Sequence, residues 1–114
     1  MKSRILVIDD EAAVRDSLKM ILEYDGYDCH LAPSGQDGIA EVRRYSPDFV
    51  FLDVKMPGVD GLEVLRKIRE QDETIPVVMI SGHGTVTTAV EATKLGAFDF
   101  LEKPLSTERV KVTI

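Results

Sequence analysis

Arg4-Ile5-Leu6-Val7-Ile8-Asp9-Asp10-Glu11 decides the architecture: a short run, apolar from Ile5 to Ile8, stops abruptly in three acids. A strand with one face in water alternates apolar and polar residues, whereas an unbroken apolar run fits a strand covered on both faces. Two more runs have the same form, and a third, interrupted by Asp99, also leads into charged residues. Phe49-Val50-Phe51-Leu52 stops at Asp53, Val77-Val78-Met79-Ile80 stops at Ser81, and Phe98 to Leu101 leads through Glu102 to Lys103-Pro104. Between the runs lie segments of helical period, so the chain reads as repeated β-α units around a mostly parallel sheet. In such a sheet the carboxyl ends of the strands share one edge, the edge where open α/β folds bind ligands. Residues far apart in sequence are thereby brought to a single cleft.

The helical segments carry their own signals. Val14, Leu18, Ile21 and Leu22 form one core-facing stripe between Glu11 and Tyr24, and Asp25-Gly26 closes that helix. Tyr27 to Ala32 is a more polar strand, expected at the sheet edge. Ser34 to Asp37 has the look of a cap ahead of Ile39, Ala40 and Val42. Val54 to Val59 reads as a loop with a Pro57-Gly58 turn, and Asp60-Gly61-Leu62-Glu63 has capping-box spacing before Leu65 and Ile68. A further helix, from Thr85 to Leu95, carries Val86, Ala89, Val90 and Thr93 on one face. The last stretch, Ser106 to Ile114, begins a fifth helix and stops after about two turns, short of what an isolated helix needs. The expectation is one domain over residues 1–114, the N-terminal part of a longer protein.

Composition excludes several classes. A net charge of −6 argues against a grip on nucleic-acid phosphates, which requires clustered Lys and Arg. Cys29 is the only cysteine, so there is neither an internal disulfide nor a thiolate metal cluster, and a cytoplasmic location suits that count. No apolar stretch is long enough to span a bilayer.

Asp9, Asp10 and Asp53 at one edge repel one another unless a proton or a cation intervenes. Oxygen ligands without His or Cys favour a hard ion such as Mg²⁺ (or Mn²⁺), and a backbone carbonyl near Lys55 offers another oxygen. A carboxylate beside such an ion can attack phosphorus to form an acyl phosphate. Lys103 would place a fixed positive charge on one phosphoryl oxygen, and the Ser81 hydroxyl a hydrogen bond on another. Singly these residues are unremarkable. An Asp after a strand is usually a helix cap, a role Asp10 could share, and His83 or Phe100 alone suggests only a loop or a packing residue. Their joint placement at strand ends carries the functional reading.

The same residues resemble a known family, the receiver domain of two-component response regulators, along essentially the whole chain. The matching pieces are Ile5 to Glu11, Phe51 to Gly58, Asp60-Gly61, Ile80-Ser81-Gly82, Gly96-Ala97 and Glu102-Lys103-Pro104. The resemblance implies a flavodoxin-like, doubly wound α/β fold: a five-stranded parallel sheet of order 2-1-3-4-5, helices on both faces, here with a shortened fifth helix. It implies that Asp53 accepts phosphate from a sensor histidine kinase, and that Asp9, Asp10, Asp53 and the Lys55 carbonyl hold Mg²⁺. Ser81 and Lys103 bind the phosphoryl group, Phe100 is the aromatic switch, and the Lys103–Pro104 bond is cis. Lys55 and His83 flank the water path and tune phosphoryl lifetime. The surface of helix 4, strand 5 and helix 5 would respond, as a homodimer face and as the signal to a C-terminal output domain. A finer resemblance, from Ser81 through Thr85, Val90 and Ala92 to Pro104, is to receivers of the nitrogen-regulation type. Those precede an ATPase acting on σ54 polymerase and a DNA-binding domain.

Such a module is a switch rather than a metabolic enzyme. The alternative is a small Mg²⁺-dependent aspartyl-phosphate phosphatase, but that chemistry wants a second Asp two residues after the nucleophile, where this chain has Lys55. A flavin-binding domain would need a phosphate-cradling loop after the first strand, where Asp9-Asp10-Glu11 would repel a phosphate.

Overall fold

The unbroken apolar runs conceal an alternation that appears once the strands are placed. In the computed structural model, which describes residues 3–82 and 85–114, β1 (Arg4–Ile8), β2 (Asp28–Ala32) and β3 (Phe49–Asp53) pair in parallel. A two-residue antiparallel ribbon follows, β4 (Lys55–Met56) with β5 (Val59–Asp60), and then β6 (Val77–Ser81) and β7 (Asp99–Glu102) complete the main sheet. Its order is β2-β1-β3-β6-β7, which is 2-1-3-4-5 when only main-sheet strands are counted. The polar β2 is indeed an edge. The helices are α1 (Ala12–Tyr24), α2 (Gly35–Tyr45), α3 (Gly61–Gln71), α4 (Val86–Lys94) and α5 (Thr107–Thr113).

Successive side chains of each central strand enter opposite cores. Leu6, Ile8, Val50, Leu52, Val77 and Met79 pack with Val64, Leu65, Ile68 and Ala92 from α3 and α4. Ile5, Val7, Phe49, Phe51, Val78 and Ile80 pack with Leu18, Leu22 and Val110 from α1 and α5. The edge strand is tied down by polar means. His30 stacks on Tyr45, with centroids 3.6 Å apart, and its Nδ1 lies 3.0 Å from Oε2 of Glu41. The Glu41 carboxyl is held below its ordinary range by hydrogen bonds to His30 and Arg44.

Two expectations need adjusting, and the structure adds an orientation for α4. The segment between Asp53 and Asp60 is the β4–β5 ribbon rather than plain loop, with Met56 buried in the core. Asp10 does not cap α1; Glu11 stands at the N-cap without a side-chain cap bond among the described residues, and Glu11 N–H donates to Asp9 Oδ1 at 2.9 Å. The face of α4 bearing Val86, Ala89, Val90 and Thr93 points to solvent, with Val86 83% exposed, while Ala92 meets the core. Periodicity locates an apolar stripe on a helix but does not say which side the sheet is on.

Backbone proximity fixes α3 against the carboxyl end of β3. Gly61 N donates to Val54 O at 2.7 Å, and a Cβ on Gly61 would lie 2.1 Å from Asp53 O and 2.7 Å from Val54 Cα. Those neighbours are main chain and cannot swing aside as a flexible side chain would. Gly61→Ala should therefore lower stability by about 1–3 kcal/mol, the usual cost of overpacking a tight site. A urea midpoint equal to that of the parent chain would show that the β3–α3 junction can relax.

Candidate functional site

Each strand delivers its terminal residue to the same edge, and the pairing register aligns them. Ile8 is level with Leu52, Asp53 with Ile80, and Ser81 with Glu102. Asp9 is fully buried, Asp10 exposed, and Asp53 3% exposed. One carboxylate oxygen from each of these three lies within 4.8 Å of the others. A cleft of about 850 Å³ opens beside them, lined among others by Glu11, Lys55, Ser81, Thr85 and Lys103. A second hollow, about 600 Å³ around Asp48, Gln71 and Asp72, lies at the opposite edge of the sheet and holds none of this chemistry.

Lys103 faces the acids. Its Nζ is 2.8 Å from Oε1 of Glu11, 3.0 Å from Oδ2 of Asp9 and 3.5 Å from Oδ1 of Asp53. Its backbone is held as well, with Lys103 N donating to Ser81 O at 2.7 Å, and the following bond to Pro104 is cis. Burial pulls the ammonium down, but hydrogen bonding to Glu11 and the charges of Asp9 and Asp53 outweigh that, and its pKa stands above the ordinary lysine value. The lysine remains charged throughout the physiological range.

One lysine does not settle three acids. Burial, then the charge of Asp9, pushes the Asp53 carboxyl up to about 6, although Lys103 and a hydrogen bond from the Lys55 backbone pull the other way. Oδ2 of Asp9 is buried, and its compensation among the described residues is the Lys103 ammonium 3.0 Å away, which Glu11 and Asp53 share. A buried carboxylate oxygen with only a shared ammonium beside it is incompletely satisfied, and a divalent cation would complete it. With oxygen-only donors and surplus negative charge, the trio fits a hard divalent ion such as Mg²⁺.

The other candidates are placed as follows. Ser81, nearly buried, ends β6 and lines the cleft; Lys55 is exposed at its mouth. Phe100 is outside the cleft, half-buried against the α3–α4 core beside Met79 of β6. His83 lies outside the described residues. Two participants escaped the sequence reading. Arg15 Nη1 donates to Asp9 O at 2.8 Å and pins the end of β1. Glu11 reaches Lys103 across 92 positions of chain, and the only sequence signal was a long acid at an N-cap, where short side chains are preferred.

Strand order, the acidic trio and the facing lysine together define a receiver-type α/β domain. The chain belongs to the response regulator receiver domain family, whose profile matches residues 5–114. It is similar to the transcriptional regulatory protein FixJ of Bradyrhizobium diazoefficiens, 43% identical over 113 residues, covering 99% of this chain and 55% of FixJ. It is also similar to the nitrogen assimilation regulatory protein NtrX of Azorhizobium caulinodans, at 42% identity over 114 residues, 98% of this chain and 25% of that protein. The solved receiver domain of NtrX from Brucella abortus superposes with a TM-score of 0.89 at 42% identity, covering 95% of this chain and 92% of that one. The chain thus spans about half or less of these curated relatives' length.

The folded-state pKa of Asp53, about 6, lies above its ordinary 3.8, so the folded protein binds that proton more tightly than the unfolded chain. Stability from this source is full below pH 4 and falls as pH rises through the window from 3.8 to about 6. In metal-free buffer Asp53→Asn should raise stability at pH 7.5 by on the order of 1–3 kcal/mol, with the gain vanishing near pH 4. Thermal melts at the two pH values check this, and an equal effect at both would mean that charge at Asp53 is not what strains the fold.

Proposed function

We propose that this domain is a phosphorylation-controlled switch in which Asp53 accepts a phosphoryl group from the phosphohistidine of a sensor histidine kinase. What carries the reading is the position of Asp53. It is nearly buried at the end of β3, with Lys103 3.5 Å from one oxygen and two further carboxylates beside it. A carboxylate oxygen of Asp53 attacks phosphorus, the P–N bond breaks, and the electron pair leaves with the imidazole nitrogen, which takes up a proton. Asp9, Asp10, Asp53 and the Lys55 carbonyl would hold Mg²⁺, which supplies charge neutralisation for the approaching phosphoryl group. Lys103 and Ser81 bind the transferred group. Lys55, and by its sequence position His83, tune the lifetime of the product.

The added charge and acceptor oxygens draw Ser81 towards the phosphoryl group, and Phe100 turns further into the space released. The surface of α4, β7 and α5 then changes by a shift between two populations close in energy. Supporting this choice of surface, Val86, Val90 and Val112 are exposed apolar residues on α4 and α5. The occupants we assign are a second copy of the domain and a C-terminal output domain, a transcription regulator with the ATPase and DNA-binding parts of a σ54 activator. A cytoplasmic location follows from that role. The greater length of FixJ and NtrX fits such an arrangement.

Acetyl phosphate with Mg²⁺ should add one phosphate to the protein by intact mass and none to Asp53→Asn. Continued labelling of that variant would place the acceptor elsewhere. Repeated turnover of simple phosphate esters would favour the phosphatase alternative, against which Lys55 already stands.

A further inference from the structure

Glu11 holds the N-cap of α1, where a side chain ordinarily accepts a backbone N–H from the first turn. Its side chain makes no such bond among the described residues. It crosses instead to Lys103, with Oε1 2.8 Å from Nζ. The same ammonium is 3.0 Å from Asp9 and 3.5 Å from Asp53. The shortest contact of Lys103 is therefore with an acid outside the metal-binding trio, and the longest is with the acid that matters most. Arg15, another cation near the end of β1, is engaged by the backbone at Asp9 O, whereas the Lys103 ammonium is paired with side-chain carboxylates it can exchange.

We propose that Glu11 is a positioning residue that holds Lys103 closer to itself than to Asp53, 2.8 Å against 3.5 Å, until a phosphoryl group arrives. This rests on the acceptor reading of Asp53 and adds a competitor for its lysine. An ammonium has three protons to share, and in this arrangement Glu11 receives the best directed of them. When Asp53 becomes an acyl phosphate its charge and acceptor count rise, and Lys103 transfers to it. Glu11, whose side chain is already 58% exposed, returns to water at little cost. Two opposite effects follow. For the bare metal, Glu11 is helpful, because it contributes negative charge and draws a positive one off Asp53. For the phosphoryl group it is a hindrance, because its pairing with Lys103 must be broken.

The test uses Mg²⁺ alone, and then beryllofluoride as a phosphoryl mimic at saturating Mg²⁺, each titrated into parent protein, Glu11→Gln and Glu11→Asp. Glu11→Gln should bind Mg²⁺ about two- to fivefold more weakly and beryllofluoride about two- to fivefold more tightly, the scale of one exposed ion pair. Glu11→Asp keeps the charge but is one methylene too short, so it too should bind beryllofluoride more tightly than the parent. A merely structural Glu11 would move both affinities the same way or neither, and either result overturns the proposal. Parent protein that takes up no beryllofluoride would sink the acceptor reading and this one with it. Parent binding with both variants unchanged sinks the role of Glu11 alone.

Discussion

Like charges held together by topology are the constraint on which this molecule turns. Parallel strands must end side by side, and here β1 and β3 end in Asp9, Asp10 and Asp53, with oxygens within 4.8 Å. Water would screen such a cluster on an open surface, but two of these acids are buried, so the repulsion is felt by the fold. Lys103 relieves part of it and is itself stretched between three acceptors. The remainder is what makes the edge receptive to a divalent cation. Receptivity and local instability are the same property seen from two sides.

The rest of the structure serves to keep that edge from relaxing. Strand register leaves the acids no freedom to slide, because a one-residue slip would turn every core side chain to the wrong face. Gly61 lets α3 press on the backbone just after Asp53, and Arg15 holds the carbonyl of Asp9. At the other end of the molecule Arg69 donates to the carbonyls of Ile75 and Gly96, joining the tail of α3 to the turn after α4. Burial lowers the pKa of that guanidinium, which still remains charged. The α4 stripe and Phe100 are less enclosed, the first exposed and the second half-buried.

Much of this was legible in the primary structure, for identifiable reasons. The runs at Ile5, Phe49 and Val77 are apolar without interruption, a pattern few environments other than a doubly covered strand produce, and each stops at a polar residue. The polar character of β2 marked it as an edge. What escaped depends on direction and distance rather than residue type. The α4 stripe has the same period as a core stripe, and only the position of the sheet assigns it to solvent. The β4–β5 ribbon spans two residues per strand, below any window in which alternation can be counted. Glu11 looks like one acid among three until coordinates show that it meets Lys103 and not the backbone.

The central sheet also separates two cores that share strands but no side chains. Leu6 and Leu52 belong to one, Ile5 and Phe51 to the other, with the backbone of β1 and β3 as the partition. Substitutions on opposite sides, at positions more than about 7–10 Å apart, combine nearly additively. One side can therefore drift, acquiring new shapes and new recognition habits, while the other keeps its packing intact. A partition of this kind gives a lineage room to diversify without renegotiating the pocket that both halves support.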